Sequence, residues 1–314
     1  MLAARLHGWN TAPTVEEVAP PYPGDQEVTV DIEAAAVTHL DLTLMSGTFA
    51  YRPDLPFIPG AAGIGTVSAG DDSLLGRRVL VRGGGIGLER PGTWAEQVTA
   101  PLTAVRTIPA DADAALAATC YSPMTTAWAA VDPVGHVAEG ERVLVTGASG
   151  GVGSLAVQLA ARAGADVIAL VRDEKKAASV PPAAHEVLIG RGPEALTAAA
   201  ADGGIDLLLD TIGGDTLPAF LPAMRPGGRA VLIGYVAGKT LTLDLPSLLA
   251  QDIRLLPLNM VRRPVPDEVF HRLLTDLTEQ RLTLNTTAYP FTCIAQALQA
   301  RTGGKVAGTV AITM

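Results

Sequence analysis

Cysteine is nearly absent: the chain has two, Cys120 and Cys293, far apart and outside any Cys-x-x-Cys pair. A disulfide framework and a cysteine-rich zinc site are both excluded, and a reducing cytoplasm suits such a sequence. Positive charge is scarce too. The 23 Lys and Arg are outnumbered by 32 Asp and Glu, and a net charge of −9 without a basic cluster disfavours nucleic acid as a partner. Long hydrophobic runs are also missing. The opening MLAARLHGWN lacks the unbroken apolar core of a signal peptide. The charge-free stretch 114–131 is interrupted by Ser, Thr and Pro, so it reads as a buried helix and loop rather than a membrane span. Internal repeats, low-complexity tracts and long linkers are not found either.

What is there is apolar and long enough for two domains. Of 314 residues, 48% are hydrophobic and 18% charged, the balance of a globular chain. The stretch VLVTGASGGVGSLAVQLA, residues 143–160, organises the rest. A short apolar run is followed by glycines at 147, 150, 151 and 153, then by a helical pattern around Leu155 and Leu159. Ala148-Ser149-Gly150-Gly151-Val152-Gly153 fits G/A-x-G-x-x-G, with alanine in the first glycine place. Glycines there let the backbone turn tightly and approach a pyrophosphate, whose charge is met by the amides and dipole of the helix start.

Residues 1 to about 110 read as short strands (28–32, 63–67, 78–81, 94–99) among Gly- and Pro-rich turns, a mostly β domain or small partial barrel. From Cys120 onward the rhythm changes. Apolar strands at 142–145, 167–171, 185–188, 206–210 and 229–233 alternate with helical patterns at 155–163, 194–201 and 216–224. A sixth strand is expected at 253–258, and six strands in βαβ alternation make a doubly wound dinucleotide fold. The remainder, a helix over 266–280 and an ending at 305–313, is too small for a domain and is expected to pack back on the first one.

Together these residues carry a resemblance. Pro59-Gly60 with Gly63, Gly92-Thr93-Trp94-Ala95-Glu96, the turn 148–153 with Gln158, Gly213-Gly214 after residues 206–210, Gly227-Gly228-Arg229, Gly234 and Gly304-Lys305-Val306 occur in order along the whole chain. The sequence resembles the zinc-independent, zeta-crystallin-like quinone oxidoreductase branch of the medium-chain dehydrogenase/reductase superfamily. The resemblance implies an α/β fold: a Rossmann doubly wound parallel sheet (121–258) plus a mostly β, GroES-like domain (1–120), completed by residues 259–314. Zinc members carry Cys-His-x-Asp, Gly-His-Glu and a third cysteine. Here those places read Thr38-His39-Leu40-Asp41, Gly60-Ala61-Ala62 and Ser122, so no metal is expected.

The second nucleotide strand ends in Arg172, followed by Asp173, Glu174, Lys175 and Lys176, where an acidic residue would serve NAD. With Arg191 beyond the third strand, this favours the 2′-phosphate of NADPH, although Asp173 could itself take a ribose hydroxyl. Thr126, Lys176, Gly234, Tyr235 and Lys305 complete the cofactor set that the resemblance implies. It further implies a substrate against the N-terminal domain, where a carbonyl oxygen gaining charge needs donors in place of zinc. Thr38, Asp41 and Tyr51 are the catalytic candidates, with Tyr121 and Tyr235 in reserve; Asp41 also suits plain helix capping, and Thr38 plain packing. Phe49 stands where relatives often have a hydroxyl-bearing aromatic. The expected activity is NADPH-dependent reduction of a quinone or of the C=C bond of an α,β-unsaturated carbonyl, and no cationic pocket for an acyl-CoA is legible. A specialised biosynthetic enoyl reductase, a cyclase-like tailoring enzyme or a catalytically weak NADPH-binding protein stay open as alternatives. A homodimer through the last nucleotide strand is expected, with Pro257 ending that pairing early.

Overall fold

The solid apolar runs of the second half form one six-stranded parallel sheet in a computed structural model that describes residues 1–49, 52–304 and 306–314. In sheet order the strands are Glu186–Ile189, Asp166–Val171, Arg142–Thr146, Ile205–Asp210, Met224–Leu232 and Arg254–Pro257, the third, second, first, fourth, fifth and sixth along the chain. Successive side chains of a strand point to opposite faces. Leu144, Ile168 and Leu208 pack on one face with Leu217 and Phe220, and their neighbours Val143, Val145, Val167, Leu207 and Leu209 are buried as well. Both faces are therefore covered, and polar alternation has no place in these strands. Each such side chain contributes about 1.5–3 kcal/mol by leaving water.

The chain divides into two compact units, Met1–Tyr121 with Asn285–Met314, and Ser122–Leu284. The first boundary lies inside the helix Ala114–Ala129. The second differs from the expected one at 258/259. Residues 259–284, with the helix Asp267–Thr278, group with the nucleotide sheet rather than with the N-terminal domain. The cause is a set of specific polar ties. Gln158 donates to Thr283 O at 2.8 Å and accepts from Thr283 N at 2.9 Å, and Arg162 reaches Asp276 at 2.7 Å.

The N-terminal unit is built on a seven-stranded sheet centred on Glu27–Ala36, which pairs with Ala62–Ala69, Gln97–Pro101 and the C-terminal strand Thr309–Thr313. Trp94 is fully buried in its core and donates from Nε1 to Ala36 O at 2.9 Å. The strand expected at 94–99 begins only at Gln97, because Trp94 O and Glu96 N are spent on Ala4 N and Leu2 O of the first strand. The helix expected at 216–224 ends as Thr216–Phe220 and tightens to a 3₁₀ turn, Leu221–Ala223, whose Pro222 has no N–H to continue an α ladder.

Candidate active site

At the C-terminal end of the strand Arg142–Thr146, the chain turns through Gly147 at φ 62° and enters the helix Gly151–Arg162 with Gly150 as its N-cap. The left-handed residue is Gly147, one position before the motif begins, which explains why alanine is accepted at 148. Ala148 is fully buried and donates its N–H to Leu170 O at 3.2 Å. Gly153 closes the motif for a packing reason: a Cβ there would lie 2.2 Å from Gly147 O. Gly150 makes no side-chain cap, so no side chain of its own competes for the amides of Gly151, Val152 and Gly153. Ser149 is buried beside them.

A second group fixes the turn. Thr146 Oγ1 donates to Asp210 Oδ1 at 2.8 Å and accepts from Thr211 N at 2.9 Å, while Thr211 Oγ1 donates to Thr146 O at 2.7 Å. Asp210 Oδ1 also accepts from Ile212 N and Gly213 N, at 3.2 and 3.1 Å. The ends of the first and fourth strands are thereby locked together around Gly147. Gly234 fits against them because a Cβ there would meet Thr211 O at 2.1 Å. Tyr235, next to it, is 57% exposed. Thr126 is half-buried on the helix Ala114–Ala129.

The two arginines follow neighbouring strands. Val171 and Ile189 are register partners, and Gly190 N bonds to Val171 O at 2.9 Å. Arg172 and Arg191 thus stand one and two residues beyond paired strand ends, on the same edge as the glycine turn. Both are exposed, and Arg191 Nη1 lies 3.4 Å from Thr216 Oγ1. Asp173 is committed elsewhere: it caps the short helix Glu174–Ala177 by accepting from Lys176 N at 3.1 Å, and it accepts from Arg172 Nε at 3.0 Å. The Arg172 bond and the Lys176 amide hold its carboxyl below the usual range.

In the N-terminal unit, Thr38 and Asp41 form a capping box at the start of the helix His39–Met45. Asp41 is fully buried and its Oδ2 accepts from Thr38 N at 2.7 Å and Thr38 Oγ1 at 2.6 Å, its Oδ1 from Ala61 N at 3.0 Å. Burial pushes its pKa up against those bonds. The Thr38 hydroxyl proton is therefore engaged by Asp41, and both side chains brace the backbone. Beside them, burial and the Arg301 charge lower the His39 imidazole to about 4, so it is neutral at pH 7. Tyr51 and Lys305 lie outside the described residues. Tyr121 lies beneath two guanidinium groups, with Arg82 4.8 Å and Arg106 5.6 Å from its ring centre.

Three groups escaped the sequence reading: the Thr146–Asp210–Thr211 lock, and the half-buried Arg82 and Arg301. The first carries a signal, a hydroxyl and a carboxylate ending two apolar strands. The arginines carry none, since only sheet register and burial single them out.

Two family models match the chain, "Zinc-binding dehydrogenase" over residues 151–278 and "Alcohol dehydrogenase GroES-like domain" over residues 24–110. Quinone oxidoreductase-like protein 2 of Mus musculus is 32% identical over 247 residues, 76% of this chain and 69% of its own length. Acryloyl-coenzyme A reductase of Sulfurisphaera tokodaii is 29% identical over 269 residues, 77% of this chain and 79% of its own. The quinone oxidoreductase of Thermus thermophilus, whose structure was also solved in complex with NADPH, superposes with a TM-score of 0.82 at 25% identity, covering all of both chains. The zinc in the first description does not suit the donors present here. Ala61 has no ligating side chain, the Thr38 hydroxyl is donated to Asp41, and among the described residues no three His, Cys, Asp or Glu side chains gather as metal ligands.

Proposed function

From its membership of the quinone oxidoreductase branch of the medium-chain dehydrogenase/reductase superfamily, to which this chain belongs, we propose an NADPH-dependent, metal-free reduction of a quinone or of the C=C bond of an α,β-unsaturated carbonyl. The observation that carries the reading is the open amide start of the helix Gly151–Arg162, with Arg172 and Arg191 beyond the two adjoining strand ends. The quinone and acryloyl-CoA reductases among its relatives support the two substrate classes.

The amides of Gly151, Val152 and Gly153 take the pyrophosphate, helped by the helix dipole, with Ala148, Ser149 and Gly150, whose own N–H is donated to Gly147 O, shaping the turn. Arg172 and Arg191 grip the 2′-phosphate with charge-assisted bonds, supported by Lys176. Asp173, the acceptor that an NAD ribose would need, is already bonded to Lys176 N and Arg172, which supports NADPH. The family resemblance adds Thr126, Gly234, Tyr235 and Lys305 to the cofactor residues of this reading. When bound, NADPH supplies the hydride. The protein's own task is to hold the carbonyl oxygen as it gains negative charge. Asp41 and Thr38 are positioning residues that fix the Ala61 backbone and the helix start, and Tyr51 is the phenolic donor. The two free cysteines support a cytoplasmic protein, and no helix among the described residues is long and apolar enough to cross a membrane. The exposed Leu245 and Leu249 near the edge strand Arg254–Pro257 support a homodimer through that strand, which light scattering at micromolar concentration tests.

Initial rates of NADPH oxidation are measured across quinones and enones, with enzyme stripped by a chelator. Turnover that survives stripping is expected, and Tyr51→Phe lowers kcat more than it raises KM. Tight NADPH binding without turnover of any acceptor, or activity that returns only with added zinc, sinks the proposal.

A further inference from the structure

In the antiparallel pair Ala62–Ala69 and Arg78–Arg82, Arg82 stands directly opposite Ala62. Opposed residues share a face of the sheet with Cβ atoms about 5 Å apart. The Arg82 side chain therefore leaves the sheet beside a methyl group that accepts nothing. Its Nε is buried without a hydrogen-bond partner, and among the described residues none accepts a bond from its guanidinium. Among the described residues it lies against the face of Tyr121, a ring that Arg106 also approaches. The arginine is half-buried and keeps part of its surface open.

Burial above all disfavours the charged form of Arg82; Tyr121 and then Asp41 favour it, and Arg106 opposes it. Asp41 makes no ion pair with it among the described residues: its oxygens accept from Thr38 and Ala61, and the same single carboxylate also faces Arg301. Arg301 faces the same carboxylate, and its Nε is also buried without a partner. Stacking on an aromatic face returns only part of what withdrawing an ion from water costs. The cluster around Asp41 is short of an anion.

We propose that Arg82, stacked on Tyr121 opposite Ala62, is a carboxylate-binding subsite, and that the substrate is an unsaturated carbonyl compound carrying a carboxylate. The subsite adjoins the positioning residues through the chain itself: Ala61 donates its amide to Asp41, and the next residue faces Arg82. A guanidinium presents paired N–H donors that match a carboxylate, whereas a neutral quinone leaves them unused. The inference rests on the reductase reading and narrows its substrate class.

Two measurements test it. The first compares 4-oxo-2-pentenoate with its methyl ester, in wild type, Arg82→Gln and Arg82→Lys. The wild type is expected to prefer the acid. Arg82→Gln lowers the acid-to-ester ratio of kcat/KM by about ten-fold or more, chiefly through KM, as loss of a charged hydrogen bond implies, and Arg82→Lys restores part of it. The second needs no turnover. Saturated 4-oxopentanoate, but neither its methyl ester nor inorganic phosphate, is expected to raise the Tm of the wild type, and to leave that of Arg82→Gln unmoved. An equal acid-to-ester ratio in wild type and Arg82→Gln overturns the subsite, as does an equal Tm response of acid, ester and phosphate in the wild type. If neither enone turns over, the enone arm of the reductase reading fails, and the 4-oxopentanoate response still decides the subsite. Should Arg82→Gln not fold, Arg82→Lys and the wild-type acid-against-ester comparison carry the test.

Discussion

Gly153 and Gly150 belong to one motif, yet substituting each is expected to fail for a different reason. An alanine Cβ at 153 would lie 2.2 Å from Gly147 O, 2.7 Å from Gly147 C and 3.0 Å from Ala148 Cα. All three are backbone atoms of a turn that Thr146, Asp210 and Thr211 hold in place, so the helix must move. Overpacking of this kind costs about 3 kcal/mol at the upper end of its usual range. Replacing glycine by alanine inside a helix returns about 1 kcal/mol. The net loss of about 2 kcal/mol corresponds to about 4–8 °C in Tm for a unit of this size. At 150 the only atom near an added Cβ is Gly147 O at 3.2 Å, and the backbone, at φ −83°, is ordinary. There the loss is about 0.5 kcal/mol, because alanine is a slightly poorer N-cap than glycine. Gly150→Ala is instead expected to weaken NADPH about ten-fold or more, since a methyl group stands where the pyrophosphate approaches the amides. Thermal melts of the apo proteins and fluorescence titration with NADPH separate the two. Equal Tm losses, or wild-type affinity in Gly150→Ala, would refute the division of labour.

Arg172→Ser and Arg191→Ser are each expected to raise KM for NADPH by about 10- to 100-fold, the worth of a charge-assisted hydrogen bond, and to change KM for NADH far less. Equal effects on both cofactors would remove the phosphate from the argument. Asp41 gives a pH test with a definite sign. Burial raises its folded pKa above 3.8, so between that value and the folded one the native state binds more protons than the unfolded chain. Unfolding free energy must therefore fall as pH rises through that window, and Asp41→Asn abolishes this slope. Urea midpoints from pH 4 upward measure it, and a wild-type-minus-Asn difference that climbs with pH contradicts it. Cys120 is buried and its thiol is pushed up to about 12 by that burial, so maleimide is expected to label Cys293 alone in the native protein and both cysteines in denaturant. Native labelling of Cys120 would show that the helix Ala114–Ala129 opens readily.

The parallel sheet was legible because a strand covered on both faces writes an unbroken apolar run, and runs such as 142–145 and 167–171 have few other readings. The dinucleotide turn was legible for the same local reason: strand, glycines and helix are contiguous. The assignment of residues 259–284 was not. The helix Asp267–Thr278 buries Val269, Phe270, Leu273, Leu274 and Leu277, a stripe that declares a buried face without naming what it packs on. The decisive bonds, from Gln158 to Thr283, join residues 125 apart.

The candidate catalytic pair shows the same limit from the other side. Thr38-x-x-Asp41 has the spacing of a capping box as well as that of a donor pair, and spacing alone cannot choose between them. The choice came from Ala61, twenty residues on, whose amide takes the last free oxygen of the carboxylate. One carboxylate, Asp41, faces the two guanidinium groups of Arg82 and Arg301, and the substrate question moves from the donors to the charge. Arg82 is invisible as a site residue in the sequence, because its neighbour Ala62 is set by strand register and its stacking partner Tyr121 by the helix that follows. Where zinc members of the family carry ligating side chains, this chain has Thr38 and Ala61. Beside them the half-buried cation of Arg82 faces an alanine, and on the proposal above a ligand carboxylate answers its charge.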